Sequence, residues 1–117
     1  MTVREIQEIL GAEVHCCHHR LADEMFVACG SDALSDVLFC AKDETVLLSG
    51  LNNTHLIRTA EMLDMNCVIM VRGKLPNKEL VTLARERGIC VMSTMHSMFT
   101  SCGLLYKHGL RGGGERL

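Results

Sequence analysis

The chain has 117 residues, with 12 Lys and Arg against 14 Asp and Glu, for a formal net charge of −2. That balance shows no basic stripe, and 3% aromatic residues offer little stacking surface, so nucleic-acid binding is disfavoured. No apolar run is long enough to span a bilayer, and 48% hydrophobic residues suffice for one aliphatic core in which 8 Met and 7 Cys fill gaps.

Thr2-Val3-Arg4-Glu5 forms a capping box, and Ile6, Ile9 and Leu10 follow it on one face of a short helix that Gly11 stops. Arg4, Glu5 and Glu8 in its first turns are unlike a secretory signal. Strands are expected from Glu13 to Cys17 and from Met25 to Cys29, joined as a hairpin through a turn at 18–24. Ser31 or Asp32 then caps a helix whose apolar face is Leu34, Val37, Leu38 and Ala41, and Lys42-Asp43-Glu44 is a solvated turn.

Three strand-then-helix units follow. Their strands, at 45–49, 67–71 and 89–92, recur about 22 residues apart, which suits βαβ units with short helices. Asn53 or Thr54 caps the first of these helices, with Leu56, Ile57, Ala60 and Leu63 inward. Pro76-Asn77 starts the second, which carries Leu80, Val81 and Ala84 and ends at Gly88. The third shows Met95, Met98, Phe99, Cys102 and Leu105 at helical spacing and ends at Gly109. Residues 111–117 read as a flexible tail beyond a single domain at 1–110. The order predicts a three-layer α/β/α domain with a mostly parallel sheet, the early strands being antiparallel edge additions.

Ligands bind such sheets off the carboxyl ends of the strands. Candidate binding residues are therefore Gly50, Asn52, Asn53, Thr54 and His55 after the first βαβ strand, where amides and a helix start suit an anion. Arg72, with Lys74, offers positive charge after the next strand, although no Walker sequence is present. Ser93 and Thr94 present hydroxyls across the same crevice. Gly30, Ser31 and Asp32 close its side, and Asp32 with Asp36 would share one helix face. Each of these also has a plainer reading as an N-cap or a solvated loop.

Cys16-Cys17-His18-His19 has metal-binding chemistry, but adjacent strand residues point to opposite faces, so a native metal site is not expected. An odd number of cysteines, many inside strand or helix patterns, reads as a reduced cytoplasmic protein. The six histidines are too scattered to nominate a base, and no Ser-His-Asp arrangement has positional support.

The order of Thr2-Val3-Arg4-Glu5-Ile6, Gly30-Ser31-Asp32-Ala33-Leu34-Ser35-Asp36-Val37-Leu38, Asn53-Thr54-His55-Leu56, Ser93-Thr94, Ser97-Met98-Phe99 and Leu105-Tyr106-Lys107-His108-Gly109-Leu110 resembles the small stand-alone proteins of the DRTGG-domain family. The resemblance covers residues 1 to about 110, although the string Asp-Arg-Thr-Gly-Gly is absent and Cys29-Gly30 stands where relatives often carry two glycines. It implies a fold similar to the N-terminal domain of HPr kinase/phosphorylase. It also implies a regulatory role, since such domains occur beside CBS domains, and an association with iron hydrogenase and related redox systems.

These readings lead to a non-catalytic regulatory or ligand-sensing module, a cytoplasmic homodimer that binds a small anionic ligand, a nucleotide or phosphometabolite. No cofactor is indicated. One alternative is an interaction or assembly factor for an iron–sulfur redox system, with a redox-protein partner. A weaker one is an enzyme acting on a phosphorylated compound with His55 as its base.

Overall fold

The structure is a computed structural model and describes residues 1–40 and 44–113. Ala41, Lys42, Asp43 and residues 114–117 lie outside the described residues.

Helix α1 spans Val3–Leu10. The Glu5 amide donates to Thr2 Oγ1 at 3.1 Å and the Thr2 amide donates to Glu5 Oε1 at 3.0 Å, the reciprocal bonds of a capping box. Those bonds from Thr2 hold the Glu5 carboxyl below its ordinary value. Gly11, at φ 57°, closes the helix in a left-handed conformation open to glycine. Strand β1 is Glu13–Cys16, and a 3-10 turn over His18–Ala22 occupies the expected loop. Then come β2 Val27–Gly30, α2 Leu34–Cys40, β3 Thr45–Ser49, α3 Thr54–Met62, β4 Cys67–Met70, α4 Lys78–Arg87, β5 Cys90–Ser93, α5 Met98–Lys107 and β6 Arg111–Gly112. Side-chain caps sit where the sequence puts Asn: Asn53 Oδ1 accepts from the Leu56 amide and Asn77 Oδ1 from the Leu80 amide.

The sheet has six strands in the order β1-β5-β4-β3-β2-β6. Strands β2 to β5 are parallel, in the register Ala28↔Val46, Leu48↔Ile69 and Ile69↔Met92. The expected hairpin does not form. β1 instead pairs antiparallel with β5 at one edge, and β2 is an interior parallel strand beside β3. Alternation along the strands sends residues to two cores. Leu47, Val68, Met70 and Val91 face Val37, Leu56, Ile57, Ala60, Leu80 and Ala84, so α2, α3 and α4 cover one face. Val46, Leu48, Ile69, Val71 and Met92 face Val3, Ile6, Leu10 and Leu105, so α1 and α5 cover the other. This is the three-layer α/β/α arrangement.

Three other expectations fail for identifiable reasons. Arg111 and Gly112 do not trail free. They add a parallel strand beside β2, with the Arg111 guanidinium 4.4 Å from the Tyr106 ring centroid. Helix α2 begins at Leu34, after Asp32, so Asp32 and Asp36 do not share a helix face, and Leu38 is exposed. In α5 only Ser101 and Leu105 are buried, and Ser97, whose Oγ accepts from the Thr100 amide, is its cap in place of Ser93 or Thr94.

Ile69 is fully buried in the middle strands of the sheet. Ile69→Ala is expected to cost about 3 kcal/mol through lost burial and a residual cavity, read as a lower denaturant midpoint at unchanged slope.

Candidate functional site

Strands β2 to β5 step one way across the sheet, through helices on one face. Helix α5 then returns over the opposite face to β6. The loops after β4 and β5 therefore leave for opposite faces, which makes the ends of these two strands a topological switch point.

At the end of β3 the chain turns through Ser49 and Gly50 under a side chain from β2's loop. The Gly50 amide donates to Asp32 Oδ1 at 2.6 Å, and Ser49 Oγ donates to the same oxygen at 3.3 Å. Arg72 Nη2 stands 3.9 Å from Asp32 Oδ2, and Lys74 Nζ donates to the Gly50 carbonyl at 2.9 Å. A Cβ on Gly50 would lie 2.7 Å from Arg72 Nη2 and 3.2 Å from Asp32 Oδ1, so glycine is what lets the cation and the carboxylate close over the backbone. Both ionic side chains remain about half exposed, so their attraction is screened and contributes little to stability.

Arg72 and Gly73 are consecutive left-handed residues, at φ 65° and 70°. For arginine this conformation costs on the order of 1 kcal/mol. It turns the two amides toward the β5 loop, where Arg72 donates to the His96 carbonyl at 2.7 Å and Gly73 to the Thr94 carbonyl at 2.8 Å. A second tie joins the β3 and β4 loops: Asn77 donates through its amide to Asn52 Oδ1 and through Nδ2 to the Asn52 carbonyl, while Asn52 Nδ2 donates to the Leu75 carbonyl.

The expected site residues thus separate. Asp32, Gly50 and Arg72 converge. Ser31 lies beside them, its Oγ accepting from the Ala33 amide. Gly30 faces α5 instead, where a Cβ would meet Cys102 Sγ at 2.7 Å. Asn52 is spent on Asn77 and Leu75, and Asn53 on its cap. Thr54 and His55 open α3, and neither side chain joins the Gly50 network. Ser93 and Thr94 do not face Asn53 across a crevice. β4 intervenes, Ser93 Oγ pairs with His15 Nε2 at 2.7 Å, and Thr94 Oγ1 donates to the Leu10 carbonyl at 2.8 Å. Asn77, His15 and His96 belong to these networks although the sequence reading did not select them. Asn77 carried a helix-start signal, while His15 and His96 carried none because their partners are remote in sequence.

The Cys16-Cys17-His18-His19 run does not gather. Cys17 has φ 60°, Cys16 turns inward to donate to the Ile89 carbonyl, and both histidines are exposed. Burial pushes the Cys16 thiol up to about 11. Among the described residues no three His, Cys, Asp or Glu side chains are placed to hold a metal ion. Cys16, Cys17, Cys67, Cys90 and Cys102 are free thiols, as the reduced reading expects, whereas Cys29 is disulfide-bonded, against it. Cys67 and Cys90 are opposite each other on β4 and β5, and the hydrogen bond between them, with burial, raises the Cys67 thiol. Among the described residues no helix is long and apolar enough to cross a membrane.

Comparison with known families gives a match to the DRTGG domain over residues 5–107. The chain belongs to the DRTGG-domain family. A solved structure with the same fold is that of the CBS and DRTGG domains in the regulatory region of Clostridium perfringens pyrophosphatase, complexed with its activator, diadenosine tetraphosphate. It superposes with a TM-score of 0.72 at 20% identity, over 89% of this chain and 45% of that one. This DRTGG domain therefore spans a little under half the length of that structure. No curated protein sequence matches the chain.

Asn77 both caps α4 and holds Asn52. Asn77→Ala is expected to destabilise this DRTGG domain by about 2 kcal/mol, the sum of a lost cap and lost loop bonds, measured by urea denaturation.

Proposed function

We propose that this DRTGG domain is a non-catalytic regulatory module that senses a small anionic ligand, a nucleotide or a phosphorylated metabolite, at the carboxyl ends of β2, β3 and β4. The observation that carries the reading is Arg72. An arginine is kept in a left-handed conformation that glycine would adopt more cheaply, and its guanidinium stands beside Asp32 above the Gly50 turn. Lys74 lies against the same turn. A phosphate group entering here would take Arg72 from Asp32 and gain a bidentate, charge-assisted contact. The start of α3, with Thr54 and His55, adds a favourable dipole end. Exchange of Arg72 between Asp32 and phosphate would alter the Gly50 turn, which is how binding would be read out. That the pyrophosphatase regulatory region is activated by a dinucleotide polyphosphate supports a ligand of this class.

A thermal-shift titration with ATP and with diadenosine tetraphosphate tests the reading. Saturation at about a hundredfold over Kd adds about 2.7 kcal/mol, several degrees in Tm. The shift is expected to disappear in Arg72→Ala and to shrink in Lys74→Ala. A flat titration, or one unchanged by Arg72→Ala, rejects the site.

The module is further proposed to work as a homodimer in the cytoplasm. Phe99, Cys102 and Tyr106 recur at helical spacing along the outer side of α5, and Phe99 is 88% exposed. A shallow trough of about 650 Å³ runs between Met98, Phe99, Cys102, Gly103 and Tyr106. Gly103 allows a second copy's α5 to approach closely, and a twofold axis would make the stripe self-complementary. Sedimentation equilibrium should give a dimer for the wild type and a monomer for Phe99→Asp. A monomeric wild type at tens of micromolar rejects the dimer.

A further inference from the structure

At the outer edge of the sheet, away from the Gly50 turn, three side chains line up. Glu13 and His15 belong to β1, and Ser93 ends β5 opposite Glu13 in the antiparallel register. His15 Nε2 lies 2.7 Å from Ser93 Oγ, and His15 Nδ1 lies 3.6 Å from Glu13 Oε2. The β1 ladder is irregular between Val14 and Cys16, so His15 sits at a bulge, a feature that re-aims a side chain relative to a regular strand. The His15 side chain is largely covered while Glu13 is exposed. Ser93, 7% exposed, lies on the wall of a cavity of about 140 Å³ formed with Gly11, Glu13, Gly73, Leu75, Thr94 and Met95.

We propose that Ser93 is a nucleophile, with His15 as its base, that accepts a short acyl group from an activated ester in this cavity. The arrangement has the parts such a reaction requires: a hydroxyl within hydrogen-bond reach of an imidazole, and a carboxylate at the ring's other nitrogen. In the step, Ser93 Oγ bonds to the carbonyl carbon and its proton passes to His15 Nε2. The bond from carbonyl carbon to the leaving oxygen breaks, and that oxygen takes the proton from His15 on departure. No oxidant or cofactor enters the balance. Glu13 is a positioning residue: facing Nδ1, it favours the tautomer whose Nε2 lone pair points at Ser93 and stabilises the imidazolium that forms.

Two observations define the donor. The volume has room for about four or five waters at ~30 Å³ each, hence an acetyl-sized group and not a long chain. The amides of Gly73 and Thr94 already donate to the carbonyls of Thr94 and Met70, so neither is available to a developing oxyanion. A donor with a good leaving group is therefore required, and the chemistry is one acyl transfer to the protein, not rapid turnover. This goes beyond the sensing role and involves none of Asp32, Gly50, Arg72 or Lys74, so the two can fail separately.

The test is incubation of the whole chain with p-nitrophenyl acetate, with p-nitrophenolate release followed optically and acetylated peptides mapped by mass spectrometry. One equivalent on Ser93 is expected, with the rate in His15→Gln lower by at least about a hundredfold. Acetylation confined to lysines, or a Ser93 adduct formed as fast in a folded His15→Gln, overturns the proposal. ¹⁵N NMR of the His15 ring gives an independent reading that needs no variant. It should show the Nδ1-protonated tautomer in the wild type and a loss of that preference in Glu13→Gln; the Nε2-protonated form in the wild type would overturn the assignment.

Discussion

The return of α5 across the sheet is the constraint on which the other features depend. Four parallel strands linked through α2, α3 and α4 bury only one face. α5, with α1 beside it, supplies the second apolar layer, in which Leu105, Ile6 and Leu10 share one buried cluster with Ile69 and Met92. The same return delivers β6 to the far edge beside β2 and sends the loops after β4 and β5 to opposite faces. The switch point follows from chain direction alone, since a strand's exit loop must go to the face its helix covers.

At that end of the sheet, backbone groups that the ladders leave unpaired find partners in neighbouring loops. The left-handed pair Arg72-Gly73 aims two successive amides at the carbonyls of His96 and Thr94. Asn52 and Asn77 do the same between the β3 and β4 loops with side chains. The consequence is a cross-tied rim on which Arg72 and Asp32 are half exposed and Lys74 is bonded to the Gly50 carbonyl. Half-exposed charges of this kind are screened by water and contribute little to stability.

Much of this was legible from residues a few positions apart. The capping box at Thr2 and Glu5, the Asn caps at 53 and 77 and the left-handed glycines at 11 and 88 act through bonds spanning three or four positions, so the sequence carries them whole. The β3, β4 and β5 strands are buried along their whole length and carry continuous apolar runs because both faces are covered, and such a run identifies a buried parallel strand. The fate of β1 was not legible. A strand next to another in sequence reads as its hairpin partner, but β5 offered β1 an edge and the 3-10 turn carried the chain away from β2. Arg111 and Gly112 were similarly opaque, since two residues followed by two more glycines have no periodicity to read.

By itself, then, the sequence determined most of the elements, the inward faces of α1, α3 and α4, the parallel run of β3, β4 and β5 and the end at which polar loops collect, because each of these is set by local hydrogen bonding and by alternation along the chain. Only the tertiary structure decided which polar residues meet. Asp32 reaches Gly50 and Arg72, Thr94 reaches Leu10, and His15 reaches Ser93 across 78 positions. Those pairings depend on strand order and on the face each loop departs to, which no local pattern encodes, and they redistribute the candidate residues between a charged rim at β3–β4 and a hydroxyl–imidazole pair at the β1–β5 edge.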